Sequence, residues 1–134
     1  MVISVSLRRP PQSNYSITQL CREFGLTARA LRFYEEQGLV EPQRRHTTRI
    51  YSVKDRVRIS LIVRARAVGL SLRDIRDLFE AYDEGGVAAQ RAMAAQVFAR
   101  RLDDLREERR RADQSIATLE AACADLEARV VAAA

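Results

Sequence analysis

Lysine is almost absent from this chain. Lys54 is the only one, so the basic side of a formal net charge of +5 is otherwise carried by arginine. Cysteine occurs twice, at Cys21 and Cys123, about a hundred positions apart and with no CxxC pair. That excludes a disulfide framework and a clustered zinc ligand set, and it fits a reducing compartment. His46 is the only histidine, and no cysteine or carboxylate lies near enough to complete a ligand set with it. It reads as a solvated or anion-contacting loop residue, and no metal site is expected. No window approaches the ~18 consecutive apolar residues of a membrane span. The N-terminal apolar residues precede the arginines, the reverse of a signal peptide, so a soluble cytoplasmic protein is expected. There is no nucleophile–base pair, no glycine-rich phosphate loop and no carboxylate constellation beyond the charged faces of helices. Neither an enzyme nor a cofactor is expected.

Proline and glycine are also few, and their placement sets the organisation. Pro10 and Pro11, beside Arg8 and Arg9, preclude a helix near the N-terminus, and residues 1–14 are expected to be a loose arm. Ser16 followed by Gln19 is a capping-box pattern, and Ile17, Leu20, Cys21 and Phe24 then recur at helical spacing. Gly25 ends that short helix, Thr27 caps the next, ARALRFYEEQ, and Gly38 closes it. Two short helices separated by a glycine turn form a helix-turn-helix pattern. Pro42 blocks further helix, and QRRHTTRIYSV, rich in threonine and β-branched residues, predicts a short two-stranded wing. Ser52 with Asp55 opens a helix that ends at Gly69. Ser71 with Asp74 opens another, lined by Leu72, Ile75, Leu78, Phe79 and Tyr82, and Gly85-Gly86 then forms a hinge. The winged helix-turn-helix is thus placed at residues 15–84.

From Val87 to Val130 there is neither proline nor glycine. Positions 88, 91, 95, 98, 102, 105, 109, 112, 116, 119, 123, 126 and 130 step by three and four, and all but Arg91 and Arg109 hold apolar residues or alanine. This is a heptad seam over residues 87–130 with a tail at 131–134, in a mostly α protein. A helix of about 65 Å at ~1.5 Å per residue cannot bury such a seam within so small a chain, so a homodimer is expected. Phe98, Leu102, Leu105, Arg109, Ile116, Leu119 and Leu126 are the candidate dimer contacts. Arg109 reads as a register-setting polar residue paired with Glu108 or Asp113 of a partner, with an anion site between subunits as the alternative.

Charge separates the same two regions. Residues 1–82 carry 15 basic and 8 acidic side chains, whereas residues 83–134 carry 8 and 10. A basic front half with a near-neutral rear half suits a polyanion-binding module joined to an assembly element. Arg29, Arg32, Phe33 and Tyr34 fall in the first two turns of the second helix. There guanidiniums can fork onto guanine edges and aromatics can lie against sugars or thymine methyls. Arg44, Arg45, His46, Thr47, Thr48, Arg49 and Tyr51 give the wing the means to straddle a phosphate backbone. The plainer alternative for the helix is a solvated surface with scattered arginines.

Together these residues carry a resemblance. Tyr15-Ser16-Ile17, Gly25-Leu26-Thr27, the run LRFYEEQGL, Pro42-x-Arg44 and Arg49-x-Tyr51 resemble the N-terminal domain of the MerR family, and VGLSLRDIRDLFEAYD resembles its next helix pair. The resemblance implies a homodimer held by an antiparallel coiled coil, each winged helix on one half-site of a promoter palindrome. It also implies distortion of an overlong spacer so that RNA polymerase engages both promoter elements. Carried over position by position, the DNA contacts are Thr27, Arg29, Arg32 and Tyr34 from the helix, and Arg44, Arg49 and Tyr51 from the wing.

Metal-sensing members of that family place cysteines at the start of the dimerisation helix and after it. Here the junction reads YDEGGVAAQ, without thiol or histidine. Cys21 and Cys123 are better explained as small residues of the core and the seam. The stretches FGLTARALRFYEEQGL, RIYSVKDRVRISLI and YDEGGV further resemble short members that regulate branched-chain amino-acid and acyl-CoA catabolism. The effector is left open. An excisionase-like architectural protein shares the winged helix but not the seam. A coiled-coil adaptor shares the seam but has no salt-dependent affinity for a promoter palindrome.

Overall fold

A computed structural model describes residues 13–134. The arm proposed for residues 1–14 therefore lies outside the described residues except at its end, and there the structure corrects it. Asn14–Tyr15 form a short strand, β1. The following elements are α1 (Ile17–Phe24), α2 (Ala28–Glu36), β2 (Gln43–Arg45), β3 (Thr48–Ser52), α3 (Val53–Ala67) and α4 (Leu72–Ala133). The wing is consequently three-stranded rather than two-stranded, in the order β1-β3-β2. Asn14 and Tyr15 pair antiparallel with Ser52 and Tyr51.

Each helix begins where a side-chain oxygen can take an orphan backbone N–H. The Ser16 hydroxyl accepts from the Gln19 amide at 3.1 Å, and the Ser16 amide donates back to Gln19 Oε1 at 2.8 Å. Thr27 Oγ1 accepts from the Ala30 amide at 3.1 Å. Ser52 and Asp55 form the same reciprocal box at 3.1 and 2.9 Å. The other oxygen of buried Asp55 accepts from the Glu41 amide at 3.1 Å, which ties the chain leaving α2 to the start of α3. At the other end of α1, Gly25 takes a left-handed φ of 66° that an L side chain rarely adopts.

These elements enclose one core in the unit that extends to Gln90. Leu20 of α1, Leu31 of α2, Tyr51 of β3, Ile59 and Ile62 of α3, and Ile75 of α4 are all but fully buried, together with Leu39, Val40 and Leu70 from the connections. Truncating any of the leucines to alanine is expected to cost ~2–5 kcal/mol. The α4 helix is interrupted at Gly86, whose φ of 71° and ψ of −158° lie outside helical space. The break falls at the Gly85-Gly86 pair where a hinge was expected. The first unit nevertheless continues to Gln90, whose side chain donates to the Leu78 carbonyl at 3.2 Å.

The second unit, Arg91–Ala134, is a single helix that runs to Ala133 through the segment expected to be a tail. Alanine's high helix propensity accounts for the extension. Its ion pairs include local ones: Glu107 bonds Arg110 at 2.8 Å and Arg111 at 3.2 Å, and Asp125 bonds Arg129 at 2.9 Å. The Arg110 hydrogen bond holds the Glu107 carboxyl below its ordinary range.

Candidate nucleic-acid interface

The second helix of the helix-turn-helix presents its polar side to solvent because Leu31 is drawn into the core. Arg29 and Arg32, three residues apart, share a face. Both are exposed, and among the described residues neither guanidinium makes an ion pair or a hydrogen bond. Phe33 is 42% exposed beside half-buried Tyr34, with ring centroids 6.2 Å apart. Thr27 is exposed and engaged as the helix cap. The helix therefore offers two uncommitted guanidiniums and one aromatic edge to the outside.

Many other arginines of the first unit are engaged. Arg56 grips Glu23 through two nitrogens and lies 5.4 Å from the Tyr15 ring centroid. The Glu23 hydrogen bond holds its guanidinium above the ordinary value. Arg58 donates to both oxygens of Asp83, at 3.1 and 2.9 Å, and sits 4.8 Å from the Phe79 centroid. Arg66 and Arg76 bond the carbonyls of Leu70 and Gln37 at 2.8 and 2.9 Å. These groups brace the fold from within and leave the α2 face as a place where arginine stands free.

The wing is a β2–β3 hairpin in which Arg44 pairs with Arg49 and Arg45 with Thr48. His46 and Thr47 make the two-residue turn, with His46 at a left-handed φ of 60°. Arg45, His46 and Thr47 are exposed at its tip, and the Arg45 guanidinium has no ion pair or hydrogen bond among the described residues. Arg44 is half exposed, its Nη2 3.7 Å from Glu35 Oε1. Arg49 is directed at α2: its Nε donates to Glu35 Oε2 at 2.7 Å, which raises its guanidinium above the ordinary value.

Tyr51 is the clear correction. The expectation placed it against DNA, but it is fully buried and its hydroxyl has no hydrogen-bond partner among the described residues. Burial pushes its phenol above the ordinary value of 10. The reason is strand alternation: residues 49 and 51 share one face of β3, and that face is turned toward the helices. The sequence reading missed Glu35, and it named Arg45 in the wing without carrying it into the DNA contacts. Glu35 looks like any helix-surface acid until the hairpin is placed beside it. Arg45 lay within the noted basic run, with nothing in the pattern to distinguish it from Arg44.

The described side chains hold no group of three or more histidine, cysteine, aspartate or glutamate residues arranged for a metal ion. Cys21 is half-buried, and Cys123 is exposed because the seam is uncovered in the single chain. Phe98, Leu102, Leu105, Ile116, Leu119 and Leu126 are exposed for the same reason, as is Arg109. A shallow groove lined by Ile116, Leu119, Glu120, Cys123, Ala124 and Glu127 follows the seam. No helix of the described residues is long and apolar enough to cross a membrane.

Comparison with known proteins agrees with this geometry. The family described as "MerR HTH family regulatory protein" matches residues 15–82, half of the chain, and "MerR, DNA binding" matches residues 56–128. The HTH-type transcriptional regulator CueR of Salmonella typhi is 35% identical over 71 residues, covering 52% of this chain and 51% of that protein. The HTH-type transcriptional regulator AdhR of Bacillus subtilis is 36% identical over 72 residues, with the same coverage of 52% and 51%. The chain spans about half the length of the curated relatives it matches. Among solved structures, HiNmlR, a MerR family regulator lacking the sensor domain and bound to promoter DNA, aligns with a TM-score of 0.57 at 24% identity, covering 75% of this chain and 79% of that one. A MerR family regulator from Bacillus cereus aligns with a TM-score of 0.62 at 21% identity, covering 80% and 78%. These two likenesses concern the fold, and the family matches span both the winged helix-turn-helix and most of the long helix. The chain belongs to the MerR family of helix-turn-helix regulatory proteins.

Proposed function

We propose that this chain is a sequence-specific DNA-binding transcriptional regulator that grips a palindromic promoter site as a homodimer. In this reading α2 enters the major groove and the β2–β3 tip rests on the flanking backbone. The observation that carries it is the free state of Arg29 and Arg32 on α2, in a unit where Arg49, Arg56, Arg58, Arg66 and Arg76 are engaged within the protein. Uncommitted guanidiniums on an exposed helix face are what base edges and phosphates require. The exposed seam of the second unit supports the dimer, which sets the spacing of two half-sites. Distortion of the promoter spacer, engagement of RNA polymerase and residence on the nucleoid belong to the same reading.

The test uses a labelled duplex covering the DNA upstream of the chain's own gene, titrated at fixed salt. Wild type is expected to bind it with a steep salt dependence and to discriminate it from scrambled DNA. Arg32→Ala is expected to weaken that binding about 10- to 100-fold, the ~1–3 kcal/mol of a bidentate base contact, while dimer mass is unchanged. Unaltered operator affinity in the variant would remove Arg32 from the interface.

A further inference from the structure

Arg44 and Arg49 are directly opposite each other in the β2–β3 register. Cross-strand partners project from the same face, so two guanidiniums stand together, an arrangement that opposes hairpin formation. Glu35 of α2 answers both: one oxygen takes the Arg49 Nε at 2.7 Å, and the other lies 3.7 Å from Arg44. The Glu35 and Arg49 side chains are each 23% exposed, whereas Arg44 is 52% exposed. The short, sheltered contact is therefore to Arg49, and Arg44 is the looser of the two.

We propose that Glu35 is a positioning residue that fixes the wing to the recognition helix through Arg49, so that Arg44 and Arg45 are held in register with Arg29 and Arg32. Arg49 is then an anchor and not a phosphate contact. The inference rests on the DNA-binding reading above. It makes a counter-intuitive claim about sign. A carboxylate beside a DNA-binding face repels phosphate, so deleting it should tighten binding if charge alone mattered. A positioning carboxylate weakens binding when deleted, because the wing loses its fixed placement.

The full-length chain is titrated with the upstream duplex over a range of salt as wild type, Glu35→Ala, Arg49→Ala and the double variant, and each protein is melted. Glu35→Ala is expected to weaken binding about tenfold, as is Arg49→Ala, and the double variant no further than either. The log–log salt slope of Arg49→Ala should equal that of wild type. Equal or tighter binding by Glu35→Ala overturns the proposal, as does a salt slope lowered by ~0.9 in Arg49→Ala, the signature of one lost phosphate contact. Should a single variant be unfolded at the assay temperature, the swap Glu35→Arg with Arg49→Glu decides. Recovery of affinity supports the clamp, and a folded swap that does not recover overturns it. Wild type that fails to distinguish the duplex from scrambled DNA refutes the DNA-binding reading itself, whereas wild-type binding with an unaffected Glu35→Ala refutes only the clamp.

Discussion

The two units of this chain reach their structures by different means. The first, to Gln90, is punctuated by side-chain caps at Ser16, Thr27, Ser52 and Ser71, and it closes a core around Leu20, Leu31, Tyr51 and Ile59. The second, from Arg91, is one helix whose apolar seam of Leu102, Leu105, Ile116 and Leu119 stays in solvent. Its local ion pairs, such as Glu107 with Arg110, are worth only ~0.2–0.5 kcal/mol each. A seam left uncovered contributes nothing by burial in the single chain. One unit encloses a core of its own, and the other leaves its apolar residues open to solvent.

The most forceful way to break that contrast is to make the seam polar. Leu102→Asp combined with Leu105→Asp is expected to abolish the dimer in sedimentation equilibrium. Operator affinity should fall more than about 100-fold, since two linked half-site contacts gain 10²–10⁴ in avidity over one. The melting of the winged helix-turn-helix should shift little, because its core residues are untouched. A double variant that remains dimeric would place the subunit contact elsewhere.

Gly86 interrupts α4 a few residues before the first unit ends at Gln90. Its φ of 71° with ψ of −158° belongs to a backbone region open almost only to glycine, although nothing stands within 4 Å of where a Cβ would sit. Gly86→Ala is therefore a test of backbone strain and not of crowding. We expect ~1–3 kcal/mol of lost stability in denaturant titration. An unchanged midpoint would mean that the break is not needed for the native state and that the helix can run through it.

Much of this was legible in the sequence because the signals are local. Ser16 with Gln19, Thr27 before an alanine-rich turn, and Ser52 with Asp55 each specify a helix start within four residues, and the heptad is read along one element. What was not legible depends on residues far apart in the chain. Two residues, Asn14 and Tyr15, are too few to show a strand pattern, and they become one only by pairing with Ser52 and Tyr51. Glu35 and Arg49 are fourteen positions apart, and no helical or strand period links them. The resemblance carried Arg49 and Tyr51 together onto the DNA side as one Arg-x-Tyr motif. The strand instead turns both toward the helices, where Glu35 receives the charge and the core receives the ring.

Tyr51 supplies the smallest effect and the finest probe of the first unit's core. Its ring is fully enclosed while its hydroxyl has no partner among the described residues, so on this geometry the oxygen gains no bond in return for its burial. Tyr51→Phe keeps the ring and removes that cost. It is expected to leave stability unchanged or raise it by about 1 kcal/mol at neutral pH, measured by denaturant midpoint. The pH dependence sharpens the test. Burial raises the folded phenol above the ordinary value of 10, so the stability tied to its neutral form is fully present below that value. It is lost as pH rises through the raised folded value, where the unfolded chain has already released the proton. Phenylalanine has no proton to release, so the variant's advantage should widen above about pH 10. A destabilised Tyr51→Phe at neutral pH would show instead that the hydroxyl has a partner, which a buried water could supply.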